Sequence, residues 1–366
     1  YALGRPVMLN AVYVWYGTDQ GYTSDRRAIL SIEDPEMGAV TADLNRDGYL
    51  DLVVGAAERD SQGRVGYVIL YGGTDGFAPG KREIIPIGSL ALPPLIADFN
   101  RDGYLDLVGG STEDGLHLVY GSAAGFHSNH QKLIPEGRIP YVEAADFDSD
   151  GWLDLVVPVT DYPRNHEGEL RIYYGSREGF QERGGNPLRQ MSALDPSVAD
   201  FNQDGNPEVV VSSRGTVRIH NGRTGAVIWS VDVPSGRLGA PTVADFDGDG
   251  DLEIGVAGKD SYVALLVDLN NSAPTYEAAK LWSNTTKDSS SNMTGSSVFD
   301  FEGDGAAEVV YVDETTFRIL SGKDGSILFE SDDHQSNTRI ELPVIADVDN
   351  DDAVFICALC SRHREP

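Results

Sequence analysis

The chain has 366 residues, and its 58 Asp and Glu outnumber its 28 Lys and Arg, which gives a formal net charge of -30. Such an acidic chain is a poor partner for nucleic acids and anionic membrane surfaces, and it favours cations. No apolar run reaches the roughly 18 to 20 residues that a membrane-spanning helix needs. We therefore expect a globular protein that neither binds nucleic acid nor inserts into a membrane.

Two apolar stretches open the chain, AVYVWYGTDQGY at residues 11–22 and RRAILSI at residues 26–32. They are typical of the third and fourth strands of a four-stranded sheet that lacks its first two. The missing pair is found at the other end, in LPVIADV at residues 342–348 and AVFICAL at residues 353–359. We expect the two ends to share one sheet, because this pairs strand edges that would otherwise be exposed.

An acidic motif follows, first seen as ADLNRDGYLDLVVG at residues 42–55. Counted from its first acid, it has oxygen-bearing side chains at positions 1, 3, 5 and 9 and glycine at position 6. The motif recurs every 45 to 55 residues, and repetition with such a period indicates a solenoid, a propeller or an array. The first acids of the seven copies are Asp43, Asp98, Asp146, Asp200, Asp245, Asp300 and Asp347.

The motif has the spacing of a cation-binding loop. Alternate oxygen side chains followed by glycine match the first half of an EF-hand loop, although the last acid here comes at position 9 and at the start of a strand. Oxygen ligands favour Ca²⁺ over softer metals, and the alternative is a set of Asx-rich turns without metal. The predicted ligands of the first six loops are Asp43, Asn45, Asp47 and Asp51; Asp98, Asn100, Asp102 and Asp106; Asp146, Asp148, Asp150 and Asp154; Asp200, Asn202, Asp204 and Glu208; Asp245, Asp247, Asp249 and Glu253; and Asp300, Glu302, Asp304 and Glu308.

The seventh copy departs from this pattern, because Asp352 replaces the glycine and Phe355 replaces the acid at position 9. We expect weaker binding there, by a set consisting of Asp347, Asp349 and Asp351. In the sixth copy, the longer side chain of Glu302 at position 3 is expected to crowd the ion. The chain as a whole is predicted to bind about five to seven Ca²⁺ ions.

Short β-rich runs surround every loop and predict the fold. Each repeat has room for four strands and shows no convincing amphipathic helix. We predict an all-β, seven-bladed propeller of four-stranded blades in a single domain, residues 1–366, and we rank a β-solenoid well below it. First-half blades are expected at about 36–190, second-half blades at about 191–340, and a shared closing blade at 1–35 plus 341–366.

Position 2 of each loop is apolar, although it stands between two polar positions. This alternation predicts that the position 2 side chain points away from the ion and into a core. The residues are Leu44, Phe99, Phe147, Phe201, Phe246, Phe301 and Val348.

Aromatic residues occupy position 7 of three successive loops, at Tyr49, Tyr104 and Trp152. One interpretation is that they shield the loops and cover blade edges. The other is that they form an aromatic platform for a sugar ring or for a protein partner.

The sequence contains no recognisable catalytic motif, such as a nucleophile elbow, a P-loop or a dinucleotide fingerprint. The two cysteines, Cys357 and Cys360, form one CxxC without a second pair, so packing residues or a redox pair remain open. We therefore leave enzymatic activity undecided and favour a binding role.

The D-x-[DN]-x-D-G-x-x-[DE] loops resemble those of FG-GAP/VCBS-type repeat proteins, which include the cation-binding blades of integrin α-subunit propellers. The resemblance extends over nearly the full length and implies a calcium-loaded propeller that is secreted or displayed on a cell surface. It further implies an adhesion or binding module for a protein or glycan ligand. A carbohydrate-active enzyme, similar to a polysaccharide lyase, or its accessory domain is the alternative.

Overall fold

The fold is built almost entirely from antiparallel β-strands. The computed structural model describes residues 11–16, 27–32, 35–77, 82–87, 91–111, 115–126, 131–134, 142–160, 168–182, 188, 196–288, 294–332, 343–346 and 355–360. Strands β1 (Ala11–Tyr16) and β2 (Arg27–Ser31) come first and pair with each other.

Six four-stranded sheets follow, each made from one continuous stretch of chain, and we call these sheets blades one to six. Blade one consists of β3 (Pro35–Ala42), β4 (Asp51–Arg59), β5 (Val65–Leu70) and β6 (Arg82–Pro86). Blade two consists of β7 (Ala91–Ala97), β8 (Asp106–Ser111), β9 (Leu116–Val119) and β10 (Gln131–Ile134). Blade three consists of β11 (Glu143–Ala145), β12 (Asp154–Thr160), β13 (Gly168–Tyr174) and β14 (Gln181–Glu182). Blade four consists of β15 (Ser197–Ala199), β16 (Glu208–Ser213), β17 (Thr216–Asn221) and β18 (Val227–Asp232).

Blades five and six complete the series. Blade five consists of β19 (Thr242–Ala244), β20 (Glu253–Ala257), β21 (Ser261–Leu265) and β22 (Lys280–Thr285). Blade six consists of β23 (Ser296–Phe299), β24 (Glu308–Val312), β25 (Phe317–Leu320) and β26 (Ile327–Ser331). The one helix among the described residues, α1 (Tyr276–Ala279), is a single turn in the β21–β22 connection of blade five. No described helix has the length and apolar character that crossing a membrane requires.

The remaining strands, β27 (Val344–Ala346) and β28 (Phe355–Cys360), join the first two strands in a composite sheet of order β2-β1-β28-β27. The predicted pairing of the two chain ends is therefore present, with Val14 opposite Cys357. The predicted count of seven blades is corrected to six blades, each complete within one repeat, plus this composite sheet. The physical reason is that, in the part of the chain that the structure describes, the seventh acidic repeat is followed by one strand, so its sheet takes two strands from the other end of the chain.

The core lies between neighbouring sheets, because alternate residues of each strand face opposite sides of the sheet. Between blades one and two, Val53 and Ile69 pack with Leu107 and Val119, all fully buried. The neighbours of Val53 along the strand pack in the opposite direction, against β1 of the composite sheet. Similar clusters join the other adjacent sheets.

Hydroxyl groups also join the first strands of adjacent sheets. Ser197 Oγ donates to the carbonyl of Pro241 at 2.5 Å, and Thr242 Oγ1 donates to the carbonyl of Ser296 at 3.1 Å. Ser297 Oγ donates in the same way to the carbonyl of Pro343. Each donor stands three residues before the first acid of its loop, so these bonds fix the fourth, fifth and sixth loops relative to the sheet that follows each of them.

Candidate metal centres

Each acidic loop connects the first and second strands of its blade and is held by its own side chains. In the first loop, the Asp43 carboxylate accepts the backbone N–H of Asp47 at 3.1 Å and that of Gly48 at 3.0 Å. Asp47 in turn accepts the N–H of Tyr49 at 3.0 Å. These bonds wrap the chain around the side chain at position 1.

The same wrapping recurs in all six loops of the blades. The N–H of the position 6 glycine donates to the position 1 carboxylate at 2.8 to 3.0 Å each time. Position 4 adopts a left-handed conformation, with φ of 61° at Arg46 and 59° at Ser149. Such a φ is uncommon outside glycine, and the repeated hydrogen bonds are what maintain it.

Position 9 is the first residue of the second strand and is a buried carboxylate. Asp106 and Asp154 are 0% exposed. Asp106 Oδ2 accepts the N–H of Phe99 at 3.0 Å, and its Oδ1 accepts the N–H of Gly121 at 2.9 Å. Because Gly121 lies between the third and fourth strands, this carboxylate links the acidic loop to the connection between those two strands of its own blade.

In the last three loops position 9 is glutamate, whose longer side chain makes the same bond to the position 2 N–H. Glu208 accepts from Phe201 at 3.1 Å, and Glu253 accepts from Phe246 at 2.8 Å. The sequence predicted position 9 as a metal ligand, and its second role as a backbone anchor was missed. The recurring glycine after the third strand was the available signal for it.

Burial raises the pKa of these deep carboxyls, and the neighbouring acids of the same loop add to the effect, while backbone hydrogen bonds oppose it. The pKa reaches about 6 for Asp106 and Asp154, and about 7 for Glu208, Glu253 and Glu308. A bound cation would stabilise the ionised form and reverse this shift.

Three loops bring at least three carboxylates together. Oxygens at positions 1, 3 and 9 lie within 4.8 Å of one another in the third, fifth and sixth loops. The other three loops have Asn at position 3, which supplies an amide oxygen in place of a carboxylate. The carboxylate groups are Asp146, Asp148 and Asp154; Asp245, Asp247 and Glu253; and Asp300, Glu302 and Glu308.

The donor set suits a hard divalent cation. Side-chain oxygens converge at positions 1, 3 and 9, with no nitrogen or sulfur ligand in these groups, and this chemistry matches Ca²⁺ better than softer metals. The position 5 carboxylates are exposed, and in the sixth loop Asp304 is paired with Lys323 at 2.5 Å. Asp347, Asp349 and Asp351 lie outside the described residues.

Position 2 packs as predicted in the six loops of the blades, and Val348 of the seventh copy lies outside the described residues. Phe147 and Phe246 are at most 1% exposed and join the clusters between adjacent blades. The loop therefore has one acidic side that faces solvent and another side whose apolar side chain is packed in the core.

Arginines from one loop cover two of the position 7 aromatics of the next. The Arg46 guanidinium lies over the Tyr104 ring at 4.2 Å, and that of Arg101 lies over the Trp152 ring at 4.4 Å. This favours the shielding interpretation for Tyr104 and Trp152. The contact between position 4 and position 7 of successive loops was missed, although Arg and an aromatic residue recur at these positions in NRDGYLD.

Family profiles match the repeats. A profile for the FG-GAP-like repeat matches residues 98–157, 146–211 and 200–256, and one for the FG-GAP repeat matches residues 38–71. Together these matches cover more than half of the chain.

Curated relatives that carry the name phosphatidylinositol-glycan-specific phospholipase D include proteins of Mus musculus and Homo sapiens. The Mus musculus protein is 32% identical over 176 residues, which cover 40% of this chain and 21% of that protein. The Homo sapiens protein is 27% identical over 185 residues, with coverages of 47% and 18%. The chain thus spans about a fifth of the length of these relatives.

Solved structures share the fold at low identity. The V. cholerae biofilm matrix protein Bap1 aligns with a TM-score of 0.55 and 15% identity over 99% of this chain and 89% of that chain. An Agrocybe aegerita lectin that recognises non-reducing terminal N-acetylglucosamine aligns with a TM-score of 0.53 and 16% identity over 88% and 89%. At such identities the likeness shows the β-propeller fold alone.

Proposed function

Since this chain belongs to the FG-GAP repeat β-propeller family, we propose that it is a calcium-binding extracellular module that binds a protein or a glycan. The observation that carries the proposal is the convergence of oxygen ligands at positions 1, 3 and 9 in a backbone shape that repeats across six loops. The ions stabilise the loops, and the surface beside them binds the partner.

The charge of the chain supports this role. A formal net charge of -30 is costly for a compact state, and divalent cations in the loops neutralise a large part of it. The same charge disfavours nucleic acid as a partner. Oxygen-lined extracellular modules bind Ca²⁺ with Kd values of about 10⁻⁴ to 10⁻³ M, which supports a secreted or cell-surface location.

From the phospholipase relatives we take the repeat architecture only. The matched region covers 21% of the mouse protein, so most of that protein lies outside the comparison. The proposed module is accordingly a binding unit, and no catalytic role is assigned to its acids.

The proposal is tested by thermal melts of the full chain after EDTA treatment, repeated with Ca²⁺ or Mg²⁺ added back. Each site that exists only in the folded state adds about 2.7 kcal/mol at an ion concentration 100 times Kd. We expect a large rise in Tm with Ca²⁺ and a smaller rise with Mg²⁺. Equal melting curves with and without Ca²⁺ would leave the loops as metal-free turns.

A further inference from the structure

A cavity of about 470 Å³ lies between blades one and two, beside the first acidic loop. Leu44, Asn45 and Arg46 of that loop form one part of its wall, and Tyr104 with residues 121–126 of blade two forms another. The volume falls within the range of about 300 to 1,000 Å³ that is typical of small-molecule sites.

Blade one contributes a fixed hydrogen-bond acceptor to this cavity. The Tyr71 hydroxyl donates to Glu83 Oε2 at 2.8 Å, and both residues line the cavity. Burial, followed by the bond to Glu83, raises the pKa of Tyr71. Tyr71 therefore keeps its proton and holds the carboxylate at the wall.

The first acidic loop, which also belongs to blade one, contributes a hydrogen-bond donor. The Arg46 guanidinium stacks on Tyr104 at 4.2 Å, which orients its planar group. The N–H groups at the edge of a stacked guanidinium remain able to donate. Phe126 adds a further aromatic side chain to the lining.

We infer that this cavity binds a neutral saccharide. Phe126 packs against the C–H surface of a sugar ring, while Glu83 accepts from its hydroxyl groups and Arg46, held over the Tyr104 ring, donates to them. Glu83 and Arg46 carry opposite charges, so the pair gives no net attraction to an ionic ligand, and the net charge of -30 further disfavours an acidic sugar. The inference rests on the proposed function, for which it names the ligand class and the place of binding.

Saccharide binding is coupled to the first metal loop. Arg46 stands between two predicted metal ligands, Asn45 and Asp47, and has a left-handed φ of 61°. Hydrogen bonds within that loop hold the backbone that aims the arginine, and a cation bound there would add to them. We therefore expect saccharide affinity to rise with Ca²⁺, and by linkage the saccharide would raise the affinity for Ca²⁺ by the same factor.

The test uses saturation-transfer NMR on the full chain in millimolar Ca²⁺. The probes are D-glucose, D-galactose, D-mannose and N-acetyl-D-glucosamine, with D-glucuronate as the acidic comparison. We expect at least one neutral sugar to bind and glucuronate to give no signal. Absence of binding by every neutral sugar, or equal binding of glucuronate, overturns the inference.

Matched variants locate the site. Glu83→Gln and Tyr104→Ala are each expected to weaken binding at least tenfold. Glu182→Gln, at an exposed fourth-strand glutamate outside the cavity lining, is expected to leave binding unchanged. Equal affinity of Glu83→Gln and the parent chain overturns the inference.

Melting curves of the same samples separate the two claims. Variants that keep the parent Tm report on the cavity and not on folding. If Ca²⁺ raises the Tm and no sugar binds, the saccharide inference alone fails. If Ca²⁺ has no effect on the Tm, the proposed function fails.

Discussion

Each position 9 carboxylate is buried beside like charges, and backbone N–H groups compensate for only part of that cost. Asp106 accepts three backbone N–H groups, yet its pKa is still raised to about 6. A cation would supply the missing compensation. Position 9 therefore joins the folding of the blade to the binding of the ion.

We predict that Asp106→Asn destabilises the chain both with Ca²⁺ and in EDTA, because its amide nitrogen faces a backbone N–H that then has no acceptor. The expected loss is about 1 to 3 kcal/mol in EDTA. Asp102→Asn, at the exposed position 5 of the same loop, is expected to lose stability with Ca²⁺ and to lose much less without it. Urea unfolding in both conditions measures the difference, and Asp75→Asn in an exposed turn is the control. Equal losses for the two loop variants in EDTA would show that Asp106 is no anchor.

Glu143 gives a pH dependence of its own. It lies on β11 three residues before the first acid of its loop, and burial raises its pKa to about 7. An unfolded glutamate has a pKa of about 4.3. At a pH between these two pKa values, Glu143 carries a proton in the folded chain and has released it in the unfolded chain. The free energy of unfolding therefore falls as the pH rises through this range.

We therefore expect Glu143→Gln to be more stable than the parent chain at pH 8, by up to about 3 kcal/mol, with the gain disappearing near pH 4.5. Urea unfolding in saturating Ca²⁺ at several pH values measures this gain. Glu178→Gln, in an exposed turn, should keep the pH dependence of the parent. A Glu143→Gln curve parallel to that of the parent contradicts the prediction.

At the scale of elements, the loops form contacts with each other around the ring. The residue at position 4 of one loop contacts the residue at position 7 of the next loop. Between the first and second loops, and between the second and third, this contact is an arginine guanidinium over an aromatic ring. In the third case the contact is a hydrogen bond of 3.1 Å between Ser149 Oγ and Asn206 Oδ1. Such contacts transmit the geometry of one loop to its neighbour.

We predict that Arg101→Ala lowers stability by about 0.5 to 1 kcal/mol through loss of the cation–π contact with Trp152. Alanine keeps the β-carbon, so the cost of the left-handed backbone at this position is unchanged. Thermal melts measure the loss, and Arg177→Ala in an exposed turn should stay within about 0.5 kcal/mol of the parent. A loss at Arg101 no larger than at Arg177 would argue against the contact.

The sequence predicted the strands and loops well because their signals are local. Alternating oxygens, glycine and an apolar position 2 lie within nine residues, and the structure places Asp43 to Asp51 accordingly. The anchor to Gly72 crosses 21 residues, and the contact from Arg46 to Tyr104 crosses to another blade. These long-range partners depend on strand register, which a local pattern does not determine.

At the scale of the whole molecule, the composite sheet joins the two chain ends. Six blades come from single repeats, whereas this sheet takes β1 and β2 from one end and β27 and β28 from the other. The number of acidic motifs predicted seven blades, because each motif indicates only the first two strands of a repeat and not all four. The ring therefore depends on pairing between β1 and β28.

We predict that truncation before Phe355 strongly lowers the Tm and promotes aggregation, because it removes β28 and leaves the edges of β1 and β27 without a partner. Truncation after Cys360, which keeps β28, is the matched control and should melt like the parent chain. Light scattering during the melt reports aggregation. Equal Tm values for the two truncations would mean that the ring does not need this pairing.

The central claim is that the acidic loops are ion sites, and native mass spectrometry of the full chain tests it most directly by counting bound metal. Because six loops share the same backbone shape, we predict about five or six Ca²⁺ ions per chain, with Ca²⁺ retained in an excess of Mg²⁺. A chain that carries no Ca²⁺, or a single ion, would contradict the account.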